Sequence, residues 1–408
     1  MDLARRLALA GAACALLAAC GTSAAGSPTW GPSPPYAAGT AQASPILPVP
    51  TGTGGSGGTG GGPALPGGGG ITVAPSSGAG PRIDPFVVAT HLAAPVGLTM
   101  LPDGTALVGE RTTGRIVRVQ PRAGQPVPTI RTLRGLDTSG DGGLLDLAVS
   151  PGYSEDGLIY AYVTTRTDNR VVDFTLHGPV TPVFTGIPKG RTGNTGRIAF
   201  GADGNLYIGT GDTGHPARAA DPHNLAGKVL RVNEIGDTPP SNPRPSSPVW
   251  TSGHRLVNGL CSIPQTRWML EVEAGTARVS DEVNVLTRGK FYGWPAPRSG
   301  AEPPIGRLPG DYPAPGGCAV LAGRLWVTSL SGKALLSAPL RATRSLLATE
   351  QFTPFLKNRY GRLKTVVAAA DGALWLTTSN RDGHGTPVAA DERVIRWVPR
   401  APAGRNPA

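Results

Sequence analysis

The sequence predicts an all-β fold, a six-bladed propeller, on three observations. One short phrase recurs six times; Val96-Gly-Leu-Thr-Met-Leu-Pro-Asp-Gly-Thr-Ala-Leu-Val-Gly-Glu110 and Gly196-Arg-Ile-Ala-Phe-Gly-Ala-Asp-Gly-Asn-Leu-Tyr-Ile-Gly-Thr210 are its clearest copies. Weaker copies begin near Leu144, Gly259, Gly317 and Leu363, so the spacing of 46 to 63 residues brackets the blade period of propellers. Each copy reads as an apolar strand, a turn and a second alternating strand. Asp103-Gly104, Asp203-Gly204 and Asp371-Gly372 supply the backbone freedom of a hairpin turn. No stretch sustains a helical period, and Gly and Pro interrupt the chain throughout.

The elements follow in order. Residues 1–19 read as a secretory signal: a basic start to Arg6, an apolar run from Leu7 to Ala18, and a length too short for a comfortable membrane span. Leu17-Ala-Ala-Cys20 has the form of a bacterial lipobox, which makes Cys20 the expected lipidated residue of a lipoprotein. A plain signal peptide with an incidental cysteine is the alternative. Residues 20–81 form the expected disordered tether. From 21 to 80 there is no charged side chain, and Gly, Pro, Ser, Thr and Ala dominate. Sixty such residues reach roughly 45 Å as a random coil. Residues 82–400 carry the propeller, and 401–408 a flexible tail. The strand from Asp84 to Thr90 is expected to pair with Arg393-Val-Ile-Arg-Trp-Val398, which would close the ring and hide its edges. The expected location is the extracytoplasmic face of the cell membrane, with the domain held there as a monomer through its lipid.

Net charge is +11, of which the signal contributes +1 (Arg5 and Arg6 against Asp2), leaving +10 for the rest. A positive field suits an anionic cofactor, an anionic glycan or lipid headgroups. The simpler source is composition, because only six residues are Lys and the positive charge is scattered Arg. No basic, aromatic-rich stripe points to nucleic acid. Cys14 leaves with the signal and Cys20 takes lipid, so Cys261 and Cys318 remain. They occupy matching places at the starts of consecutive inner strands, where an oxidising compartment would join them. Two buried small apolar side chains are the alternative.

The wording of the phrases adds a family. Asp141-Gly-Gly-Leu-Leu-Asp-Leu-Ala-Val-Ser-Pro151, Tyr207-Ile-Gly-Thr-Gly-Asp212, Asp221-Pro-His-Asn-Leu-Ala-Gly-Lys-Val-Leu-Arg231 and Ser252-Gly-His-Arg255 come in order. Asp281-Glu-Val-Asn284, Tyr292-Gly-Trp-Pro295, Arg381-Asp-Gly-His-Gly-Thr-Pro387 and Asp391-Glu-Arg393 complete the set. From Phe86 to Val398 the chain resembles the glucose/sorbosone dehydrogenase family, soluble quinoproteins that use pyrroloquinoline quinone (PQQ) and calcium. The resemblance implies hydride transfer from the anomeric carbon of an aldose to the quinone. That chemistry needs a base for the C1 hydroxyl, cations for the cofactor carboxylates, and calcium to polarise a quinone carbonyl.

By that resemblance the base is a His four residues before the Arg of the third inner strand. Here the phrase reads Gly193-Asn-Thr-Gly-Arg197, so glycine stands at the base position. Asp212 keeps the 19-residue spacing of the carboxylate that would orient it, while His215 and His223 lie in the following loop. The cofactor contacts implied are Asp141, Arg255, Arg362 and Lys364, with Leu256 and Ser331 replacing a polar and a cationic residue. Calcium would take backbone carbonyls near Glu273 to Ala277, which leave no side-chain trace. Several motif residues also have plain structural readings. Asp103, Asp203 and Asp371 belong to turns. Asp281-Glu282 and Asp391-Glu392 can tie blades through backbone N–H groups or arginines. Tyr292 and Trp294 can pack blades as well as form a sugar platform, and His254 can satisfy a bond between blades.

The function expected is a cell-envelope lipoprotein whose axial pocket binds a sugar, an envelope glycan or another anionic ligand with a degenerate catalytic site. An active PQQ- and calcium-dependent aldose dehydrogenase is the competing reading. A repeat scaffold unrelated to sugar chemistry comes third.

Overall fold

Each copy of the phrase folds as two antiparallel strands. Pro95–Met100 pairs with Ala106–Glu110, placing Leu98 opposite Val108, and Gly196–Phe200 pairs with Leu206–Thr210, placing Ile198 opposite Ile208. The turn differs from the simple two-residue hairpin that Asp-Gly suggests. Only the glycine is left-handed (Gly104 φ 81°, Gly204 φ 73°, Gly372 φ 80°), while the aspartate accepts from the backbone N–H two residues on. Asp103, Asp203 and Asp371 are therefore local turn caps, in keeping with their short side chains.

The computed structural model describes residues 84–342, 347–349 and 351–399. The expected signal peptide (1–19), the lipidated Cys20, the tether (20–81) and the tail (401–408) lie outside the described residues. Within them, further outer strands extend the hairpins into six antiparallel sheets. The inner strands are Pro95–Met100, Leu144–Val149, Gly196–Phe200, Val257–Ser262, Pro315–Leu321 and Leu363–Ala368. Five sheets have four strands and the fifth blade has five. Helix is limited to two single turns, Tyr153–Asp156 and Ala217–Ala220. No helix among the described residues is long and apolar enough to cross a membrane. The last blade is closed by Val87–Ala89 lying antiparallel to Val394–Trp397, with Val87 opposite Ile395. The two ends of the domain thus share one sheet.

The core lies between neighbouring sheets and repeats around the ring. Leu107 and Ile116 of the first blade meet Leu144 and Ile159 of the second. Leu98 and Val117 meet Trp375 and Val394 across the closure. Each fully buried aliphatic side chain of this kind stabilises the fold by about 1.5–3 kcal/mol. No blade can bury both faces alone, so its neighbours are part of its stability.

A single arginine stitches the inner strands together on the axis. Arg197 donates from Nε to the Asn258 carbonyl (2.6 Å) and from Nη2 to the Gly316 carbonyl (2.5 Å) and Thr365 Oγ1 (3.3 Å). Its Nη1 pairs with Asp146 Oδ1 at 3.4 Å, and Thr365 Oγ1 donates to the Val96 carbonyl at 2.6 Å. Those six residues come from six different inner strands. The arginine is therefore a plug that divides the axis into two cavities.

Candidate functional site

The larger cavity, about 640 Å³, opens where the inner strands begin. Strand starts carry the loops that vary between blades, so polar side chains collect there. Asp141, Gly193 and Lys364 line it, joined by Arg111, Arg381 and Asp382. Leu256, Glu392 and His384 complete its chemistry.

Gly193 is held tightly. Its φ is +70°, its N–H donates to Asp141 Oδ2 at 2.8 Å, and a Cβ there would stand 3.1 Å from the Thr213 nitrogen. A side chain at this position meets both a left-handed backbone and a close neighbour. Asp212 is buried and fully engaged. Oδ1 accepts the Gly214 N–H and Oδ2 the Trp294 indole N–H, each at 2.9 Å. The carboxylate that would orient an imidazole holds a tryptophan instead. His215 and His223 are exposed and outside the cavity lining.

The three cations expected at this mouth do not act together. Arg255 is absent from the lining; Nη1 donates to the Ala274 carbonyl at 3.1 Å and to the Gly275 carbonyl, and its guanidinium lies 5.6 Å from the Trp294 ring centre. Arg362 is paired with Asp382, Nε to Oδ2 at 2.9 Å. Both guanidinium groups are taken up by local acceptors and neither lines the cavity, so the expected convergence fails. Arg111 and Arg381 are likewise bonded to backbone carbonyls, Gly140 and Gly142 for the first, Asp391 and Val388 for the second. Lys364 alone among the described cavity cations has no hydrogen-bond or ion-pair partner. Burial, followed by the charge of Arg197, pulls its ammonium down to about 8 against the opposing pull of Asp141 and Asp382.

Two motif aspartates work as ties. Asp281 accepts the N–H groups of Gly275 and Ala314, both at 2.7 Å, and Asp391 pairs with Arg393 at 2.7 Å. Tyr292 is buried against His254, with ring centres 4.7 Å apart, so it is packing and not a platform in the axial cavity. His254 reaches across blades, with Nε2 at 2.9 Å from Thr251 Oγ1 on the last strand of the third blade and Nδ1 at 3.2 Å from Glu271 Oε1 of the fourth. Ser331 is outside the cavity lining.

The second cavity, about 330 Å³, lies beyond Arg197 and is lined by Leu98, Leu147, Phe200, Val366 and the two cysteines. Cys261 and Cys318 form a disulfide with 5.8 Å between Cα atoms. The cysteines sit well inside their strands, not at the starts, and so face this cavity rather than the polar one. Sequence spacing put them on neighbouring strands but misjudged the level.

The glucose/sorbosone dehydrogenase model matches residues 92–316, more than half of the chain. The chain belongs to the glucose/sorbosone dehydrogenase family. It is 30% identical over 256 residues to quinoprotein glucose dehydrogenase B of Acinetobacter calcoaceticus, covering 52% of each chain. The chain thus spans about half the length of the curated relatives it matches. Among solved structures, the PQQ-bound aldose sugar dehydrogenase of Streptomyces coelicolor superposes with a TM-score of 0.71 and 38% identity, over 76% of this chain and 95% of that one. A putative oxidoreductase (glucose dehydrogenase) of Thermus thermophilus gives 0.71 and 35%, over 76% and 98%.

Within the family frame, the residues missed from sequence are Arg111, Arg197, His384 and Glu392. His384 belongs to the Arg381-Asp-Gly-His384 motif, so the signal was present. The motif carried no hint that its loop folds over the cavity.

Proposed function

We propose that this family member is a cell-envelope lipoprotein whose axial cavity binds a sugar or a sugar-like anion without oxidising it. The observation that carries the reading is the state of the base position. Gly193 has no side chain to accept a proton, and Asp212 is committed to Gly214 and Trp294. A positioned general base contributes typically about 10²- to 10⁴-fold, so its loss leaves little catalysis.

The residues present do not fit a calcium-bridged quinone in this arrangement. The carbonyls of Ala274 and Gly275, in the stretch where the resemblance puts calcium, hold Arg255. Of the arginines and lysines that line the cavity, Arg111, Arg197 and Arg381 already have partners, as do Arg255 and Arg362 nearby, leaving Lys364 for a carboxylate. One free ammonium suits a ligand with one acidic group better than a tricarboxylate. The tether and Cys20 support placement at the outer face of a membrane, reached by lipid.

Calorimetric titration of the full chain with glucuronate and glucose tests this reading. Binding of the acid, weakened in Lys364→Met, is expected. One-to-one capture of PQQ in the presence of calcium, with no response to the sugar acid, would overturn it. For the anchor, Cys20→Ala should move the protein from the membrane fraction to the soluble one.

A second reading is an active PQQ-dependent aldose dehydrogenase. His384 in the cavity lining favours it, as an imidazole that could replace the missing base.

A further inference from the structure

Behind the Arg255 loop lies a group of side chains that neither the cavity nor the blade ties use. His254, Glu271 and Glu273 are buried, at 0%, 0% and 6% exposure. His254 Nδ1 stands 3.2 Å from Glu271 Oε1 and 3.6 Å from Glu273 Oε2, and the three potential ligand atoms lie within 4.8 Å of one another. Despite that proximity, His254 Nδ1 makes no hydrogen bond, and Glu271 Oε2 and Asn284 Oδ1 are also buried without partners. Three orphaned polar atoms in one dry spot are unusual, because buried polar groups are nearly always satisfied.

We propose that His254, Glu271 and Glu273 hold one divalent transition cation, with zinc the best match to the donors. Atoms about 2.0–2.1 Å from a tetrahedral centre stand about 3.3–3.4 Å apart. The two separations from His254 to the carboxylates, 3.2 and 3.6 Å, straddle that value. Charge points the same way. With both carboxylates ionised, even an imidazolium leaves one negative charge uncompensated, whereas a divalent cation with neutral His neutralises the set. The outer contacts are those of a ligating set. His254 Nε2 has Thr251 Oγ1 at 2.9 Å, fixing the ring with Nδ1 turned to the carboxylates. Glu273 Oε2 accepts the Arg255 N–H at 2.9 Å, and Glu271 Oε1 accepts from Asn284 Nδ2 at 2.8 Å. Asn284 stands opposite Glu271 in strand register, and its free Oδ1 is a candidate fourth donor. An imidazole among few donors suits zinc better than calcium, which takes six to eight oxygens.

The site joins the loop after the third blade to the inner half of the fourth, so its cation braces the backbone that carries Arg255. Burial means that the cation enters while the chain folds. The test is to unfold the full chain in guanidinium with its disulfide intact, strip metal, and refold with zinc, with cobalt(II), or with chelator alone. About one zinc per chain should survive desalting, cobalt should give the strong visible bands of tetrahedral coordination, and both should fall at least tenfold in Glu271→Gln. Metal content of protein made in zinc-supplemented medium and never unfolded provides the same count if refolding fails. A folded wild type with less than a tenth of a zinc per chain by both routes would overturn the proposal. Equal retention by Glu271→Gln would overturn it as well.

Discussion

The two ends of the propeller axis are built from the same six strands and differ in their chemistry. At the strand starts the cavity is twice as large and carries the charged side chains of Asp141, Lys364, Arg381 and Asp382. Beyond Arg197 the lining is mostly apolar and closed by a disulfide. Strand residues alternate between packing surfaces, whereas loop residues answer only to their neighbours. The far end therefore serves stability, and the near end is free to keep or lose a function. Gly193 illustrates the contrast: four residues before Arg197, in the loop, stands a glycine where the resemblance implies a histidine.

The largest effect should come from the residue that divides the two ends. Arg197→Ala removes bonds to four other blades and leaves Asp146 buried without its partner, a change that costs about 3–5 kcal/mol. A guanidinium unfolding curve measures it. A loss below 1 kcal/mol would mean that the plug is incidental.

The disulfide ranks next. It joins residues 57 apart, and chain-entropy reasoning values such a loop at about 4 kcal/mol. Cys261→Ser with Cys318→Ser should lower the unfolding midpoint accordingly and leave ligand binding at the polar end unchanged. Thiol titration of the unfolded, unreduced wild type should find neither Cys261 nor Cys318 free.

Asp146 provides a pH test of the far end. Burial raises its carboxyl to about 6, against the attraction of Arg197. An unfolded Asp titrates near 3.9, so the native state binds the extra proton between roughly pH 4 and 6. Its contribution is complete below pH 4 and is lost as pH rises through 6, a change of about 2–3 kcal/mol. Asp146→Asn should flatten that part of the stability profile.

Lys364 gives the corresponding test of the near end, with a smaller effect. Its ammonium, depressed to about 8, is charged below that pH and neutral above it. Affinity for a sugar acid should therefore fall as pH rises through 8. A charge-assisted hydrogen bond is worth about 1.5–3 kcal/mol, roughly 10- to 100-fold in affinity. Lys364→Met should bind weakly at every pH, without the inflection.

The same contrast explains what could be read from the chain. The blades were legible because Val96–Glu110 and Gly196–Thr210 repeat a strand-turn-strand pattern that local chemistry dictates. Cysteine pairing was legible as far as neighbouring strands, since Gly259 and Gly317 begin matching copies. The near-end site was legible only as a set of names. Arg255 and Arg362 have the right residue type in the right place, yet their guanidinium groups turn to Ala274, Gly275 and Asp382. Such choices depend on carbonyls and carboxylates distant in sequence, which no spacing rule records. His384 was visible as a motif letter and not as a cavity wall for the same reason. The His254 group needed the fold, because Glu271 and Glu273 look like ordinary alternating strand residues.

The most direct test of the lost-base reading is dye-linked aldose oxidation by the purified chain supplied with PQQ and calcium. Wild type should show no turnover above a protein-free control. Gly193→His alone should restore little, because the new side chain meets a left-handed backbone, the Thr213 nitrogen at 3.1 Å, and an Asp212 already held by Trp294. Brisk turnover by the wild type, abolished in His384→Ala, would contradict the reading and make His384 the base.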